Sequence, residues 1–91
     1  MEFEWDEAKS ARTWRERGFG FDTAAGIFEG PVQSILDERR DYGEQRIIAI
    51  GEVDGEVLVV VCTERGLLRR IISARRANRR ERETWQSLAK R

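Results

Sequence analysis

The residues with the clearest chemistry lie close together near the C-terminal end. From 67 to 83 the chain reads LLRRIISARRANRRERE, and seven of those seventeen residues are arginine. A guanidinium keeps its charge at neutral pH and offers a planar fork that matches two oxygens of a phosphate or carboxylate. Such a cluster can clamp a nucleic acid backbone or dock an acidic protein. It can also be a solvated face balanced by internal ion pairs. Spacing alone leaves all three open.

The rest of the chain balances this charge. Residues 1–64 carry seven basic and fifteen acidic side chains, residues 65–91 ten basic and two acidic, and the total is neutral. Histidine is absent, which excludes catalytic triads with a histidine base and histidine-bound zinc. One cysteine, Cys62, excludes an internal disulfide scaffold, and its place in the apolar run VLVVVC predicts a buried, unreactive thiol. That run is the longest apolar stretch and is too short to cross a bilayer. The acidic start MEFEWDE has no leader pattern, so the cytoplasm is the expected location.

These charges need elements to position them, and 91 residues suffice for one domain, 1–91, with one modest core. Alternation in FEW predicts a short strand. Asp6 can cap a helix over 7–17 with an apolar stripe of Ala8, Ala11 and Trp14, closed at Gly18. Asp22 is a second N-cap position, before a helical face of Phe21, Ala24, Ala25 and Phe28 that Gly30-Pro31 ends. VQSIL at 32–36 is a weak strand and DERRDYGE a loop. QRIIAIGEV, Asp54-Gly55 and EVLVVVCTE make a hairpin with a type I′ turn. Arg65-Gly66 leads into LLRRIISAR, with 57–62 as the central strand.

Asn78 and Glu81 can form a capping box for a last helix with a seam of Trp85, Leu88 and Ala89. The expected fold is α+β: strand-helix-helix, then three to four antiparallel strands and a C-terminal helix, with the helices on one face. Alternation on the last strand puts Arg69, Ile71, Ser73 and Arg75 on one face, and Arg70, Ile72, Ala74 and Arg76 on the other, unless a bulge intervenes. Trp5, Trp14 and Trp85 are expected in the core, and Phe19 is the exposed aromatic.

Four stretches resemble the BrnT family, toxins of bacterial type II toxin–antitoxin pairs: FEWDEAK (3–9), GFDTAAGIF (20–28), GEQR (43–46) and TERGLLRRIISARRANRRERE (63–83). The resemblance implies a RelE-like fold and a ribonuclease that arrests translation. It also implies a BrnA-like antitoxin, through which the complex binds operator DNA. BrnT sequences carry Asn-x-x-Lys-His-Gly after the first helix; here Thr13, Glu16 and Arg17 stand in place of Asn, Lys and His, before Gly18.

A ribonuclease without histidine, metal or cofactor can use the RNA 2′-hydroxyl as nucleophile. On that reading Arg46, Arg70 and Arg75 stabilise the phosphorane. Glu64, with Glu44 second, serves as base. Lys9, Arg69, Arg76, Arg79 and Arg80 hold RNA or antitoxin, which is expected to cover the basic surface. The alternatives are a binding module that keeps the fold and the antitoxin interface without cutting RNA, and an interaction domain with no nucleic acid partner.

Overall fold

A computed structural model describes residues 1–89, with only the backbone of Ala89; that predicted seam side chain lies outside the described residues. The order is β1 (Glu2–Trp5), α1 (Glu7–Arg17), α2 (Phe21–Ala25), a 3₁₀ turn (Gly26–Glu29), β2 (Val32–Leu36), β3 (Ile47–Val53), β4 (Glu56–Arg65), β5 (Leu68–Arg76) and α3 (Arg79–Ala89). The fold class is α+β. Five strands form one mixed sheet in the order β1-β5-β4-β3-β2. β1 joins β5 in parallel, and every other pairing is antiparallel.

The caps follow from local chemistry. The Asp6 carboxylate accepts from the Ala8 and Lys9 amides (2.8 and 3.3 Å), and Gly18 closes α1 at φ 83°. Asp54 and Gly55 both adopt positive φ in the β3–β4 turn. The capping box of α3 is complete: Glu81 N–H donates to Asn78 Oδ1 and Asn78 N–H to Glu81 Oε1, each at 2.8 Å.

β4 is apolar on both faces, and each face is covered. Leu58 and Val60 pack with Ala49, Ile71 and Ala74 beneath Phe21, Ala24 and Ile27. Val57 and Val59 pack with Ala77 and Trp85 on the other side. The expectation of helices on one face is therefore corrected: α3 covers the second face, because a strand apolar on both sides needs two layers. Trp85 also donates from Nε1 to Glu52 (3.1 Å). At Gly51 a Cβ would sit 2.9 Å from Ile27 Cβ, so its lack of a side chain lets the 3₁₀ turn rest on β3.

Three local expectations also change. α2 is capped at Gly20 rather than Asp22, because Ser10 Oγ on α1 accepts the Phe21 N–H (2.9 Å) and takes over the capping role. Ser10 is the one buried residue of α1, while Ala8, Ala11 and Trp14 are exposed, Trp14 by 62%. This helix meets the domain along a narrow line, leaving its charged flank free. Phe19 is buried, with the Arg76 guanidinium 5.1 Å from its ring centre.

β5 carries the change that matters most for the site. A bulge opposite Val61/Cys62 shifts the register, so Val61 faces Ser73 and Cys62 faces Ile71. Ile71 and Ala74, three residues apart, consequently share one core. The strict two-residue alternation expected for Arg69–Arg76 breaks at Ile72, since an inserted residue inverts the facing beyond it. Cys62 is buried, and desolvation pushes its thiol pKa up.

Candidate functional site: an arginine-lined cleft between α1 and the β2–β3 loop

Lys9, Arg12, Thr13, Glu16 and Arg17 recur at intervals of three and one, which is one flank of a helix. They form one wall of a cleft of about 630 Å³. Arg39, Arg40, Tyr42 and Arg46 form the facing wall, from the loop and the start of the hairpin. Ile72, Ser73 and Ala74 lie between them, at the bulge. Six cationic side chains thus line this cleft, with Glu16 its one lining carboxylate among the described residues.

The loop wall is organised from within. The Asp37 N–H donates to the Arg46 carbonyl (2.8 Å), which closes the loop at its base. The Asp37 side chain is buried and accepts a fork from Arg39, Nε to Oδ1 and Nη2 to Oδ2, both at 2.7 Å. That guanidinium holds the carboxyl well below the usual carboxylate range. The Arg39 side chain is nevertheless 68% exposed, so the buried acid presents a guanidinium to solvent. Tyr42 is stacked by Arg46 at 4.0 Å and Arg40 at 5.1 Å from its ring centre. Thr63 Oγ1 donates to the Gln45 carbonyl (2.7 Å), tying the loop to β4. Arg17, Arg39, Ser73 and Ala74 also line a smaller adjoining pocket of about 160 Å³, which Arg75 reaches.

Among the residues expected to act, Lys9 and Arg46 line the cleft and Arg75 borders the adjoining pocket. The others point elsewhere, and among the described residues all but Arg80 are paired. Arg70 lies 3.6 Å from Glu4 on β1, and Glu64 binds Arg69 at 2.7 Å. Arg69 also stacks over Phe28. Arg75 grips Glu81 with both terminal nitrogens (2.7 and 2.9 Å), which holds Glu81 down at a pKa of about 2. Arg76 binds Glu56 (3.0 Å) and donates to the Arg17 carbonyl, which anchors the C-terminal end of α1. Arg79 pairs with Glu83 one turn on, and Glu44 lies between Arg46 and Arg65 (3.7 and 3.6 Å). Arg80 stands at a separate groove beside α3.

Sequence reasoning passed over Arg12, Arg39, Arg40 and Tyr42 as parts of a site. The helical period of the α1 charges was a usable signal. The loop arginines offered none, because DERRDYGE has no period to read. Thr13, Glu16 and Arg17, which depart from the family pattern, stand in this cleft. Among the described residues, no three histidine, cysteine or acidic side chains cluster closely enough to hold a metal ion. No helix among them is long and apolar enough to cross a membrane.

Fold and cleft together define a small α+β domain with a preformed cationic cleft, suited to a phosphate-bearing chain. The sequence matches the model of the family described as "Ribonuclease toxin, BrnT, of type II toxin-antitoxin system" over residues 5–81, and the chain belongs to that family. Membership makes it a ribonuclease toxin by class, with RNA as the class target and an antitoxin as the class partner. No curated protein matches the chain.

Proposed function

We propose that this chain is a metal-independent endoribonuclease toxin that grips RNA in the cleft between α1 and the β2–β3 loop. Cleavage there arrests translation in the cytoplasm, and a BrnA-like antitoxin that also binds operator DNA neutralises it. The supporting observation is the set of six cations on two facing walls. The RNA 2′-hydroxyl attacks the adjacent phosphorus while Arg39 and Arg46 stabilise the charge that develops on the phosphorane; the bond from phosphorus to the 5′-oxygen then breaks, leaving a 2′,3′-cyclic phosphate and a 5′-hydroxyl. On this reading Glu16, which lines the cleft, takes the hydroxyl proton and passes it to the departing 5′-oxygen; Glu64, tied to Arg69, is less available. Lys9, Arg12 and Arg17 hold neighbouring phosphates. On this proposal the domain is RelE-like.

A second reading has its own support. The cleft has no histidine, and Thr13, Glu16 and Arg17 occupy it where BrnT sequences carry Asn, Lys and His. A chain that holds RNA or the antitoxin without cutting would serve operon autoregulation. Mapping RNA 5′ ends after induction without antitoxin decides between them. New ends and growth arrest, both lost in an Arg39→Ala/Arg46→Ala double variant, support the nuclease. Intact RNA with tight, strongly salt-dependent binding supports the second reading.

A further inference from the structure

A second groove, of about 350 Å³, runs between α3 and the β2 edge of the sheet. Its walls include Ile35, Ile48, Ile50, Val59 and Trp85, with Arg80 at the rim. Ile35 is 68% exposed and Leu36 48%, although both are large aliphatic residues. They lie on β2, a terminal strand with one unpaired edge. Sheet edges in soluble domains are ordinarily guarded by charge or proline within the strand. The opposite edge, β1, carries Glu2 and Glu4, whereas VQSIL has no charged residue.

This groove does not end at α3. Ile48 and Val59 also line the small pocket that holds Arg17, Arg39 and Arg75. Arg17 and Arg39 belong in turn to the large cleft. An apolar surface is thus continuous with the arginine cleft. RNA alone does not account for both halves, because a polyanion gains little from an exposed isoleucine on a strand edge. The toxin–antitoxin class brings a protein that does.

We propose that the α3–β2 groove anchors an antitoxin segment with apolar residues at one end and carboxylates at the other. The apolar part covers Ile35, Ile50 and Trp85 and pairs with the free β2 edge as an added strand. The acidic part enters the cleft against Arg39 and Arg17, where it excludes RNA. The groove thereby couples antitoxin anchoring to inhibition. The second half of this inference rests on the cleft being the RNA site; the anchoring half does not.

The test uses the full-length toxin and the full-length antitoxin of the same module. Ile35→Asp, an exposed position, is expected to weaken antitoxin binding at least tenfold in calorimetry, with melting temperature and RNA cleavage close to the parent's. A Gln33→Lys variant at the same edge is expected to weaken it less, in the same direction. Bound antitoxin is expected to block a fluorescent twelve-nucleotide RNA from the cleft. Unchanged antitoxin affinity in Ile35→Asp overturns the proposal. So does a dimeric parent that Ile35→Asp converts to a monomer with antitoxin affinity intact, since the groove then belongs to a second copy. Simultaneous binding of RNA and antitoxin overturns the inhibitory half. A parent that cuts no RNA ends the nuclease reading, while the affinity measurement still decides the anchoring.

Discussion

Two arginine-rich regions of this molecule invite comparison, and they differ in availability rather than in number. Across β5 and the start of α3, Arg69, Arg70, Arg75, Arg76 and Arg79 each lie within ion-pair distance of a glutamate. In the α1–loop cleft, Arg12, Arg17 and Arg40 have no ion pair among the described residues, and Arg39 is bound to an acid yet exposed. Density of charge along a sequence therefore says little about charge open to a ligand. Pairing is set by strand register, and register puts Glu4 opposite Arg70 and Glu64 opposite Arg69. The denser cluster braces the sheet and α3; the sparser one faces an open cleft.

The contrast can be broken most directly by removing a guanidinium from each region. Arg39→Ala is expected to lower the RNA cleavage rate by about 10²–10³-fold, the cost of losing one donor to transition-state charge. Arg70→Ala, beside Glu4, is expected to change it less than about threefold. Equal losses in a single-turnover assay would erase the distinction between the two regions.

Asp37→Asn sharpens it. The amide can still accept from Arg39 but loses the charge that fixes the fork. Cleavage is expected to fall about tenfold, roughly 1.4 kcal/mol of barrier. RNA affinity is expected to fall much less, because Arg39 stays positive. A loss confined to affinity, measured by fluorescence anisotropy, would argue against a positioning role for Asp37.

On the braced side, Glu81→Gln keeps the capping box but ends the charged pair with Arg75. Glu81 drops from an ordinary 4.5 to about 2 on folding. Its contribution is therefore complete above pH 4.5 and lost as pH falls toward 2. The variant is expected to lose about 1 kcal/mol at pH 7 and to match the parent near pH 2. Melts across that range read the difference. Trp14→Ala is the smallest effect: exposed on α1, it is expected to shift stability by less than about 0.5 kcal/mol, against several for Trp85→Ala, expected at about 3–5 kcal/mol in the core. A large loss at Trp14 would mean that α1 is held more broadly than Ser10 suggests.

Much of the scaffold was legible because its signals are local. Asp54-Gly55 marks its own turn, Asn78 and Glu81 mark their own helix start, and the double-sided apolar run of β4 announces a central strand. The placement of α3 on the second face follows from the same run, since a strand apolar on both sides needs cover on both. The site was harder to read because its determinants are not local. The Asp37–Arg39 fork sits in a loop without periodicity, and Tyr42 gains meaning only from the arginines stacked on it. The bulge at Ile72 leaves no mark that alternation can detect. The glutamates that occupy the β5 arginines come from β1, β4 and α3.

That bulge has an evolutionary consequence. One surplus residue acts as a parity switch, deciding which side chains beyond it face each layer. Deleting Ile72 would carry Ser73, Ala74 and Arg75 to the opposite sides, moving Arg75 toward Phe21 and Ala74 toward Trp85. A lineage could thus redistribute its cations between the two sides of the molecule by a single codon's gain or loss, with its overall composition almost untouched.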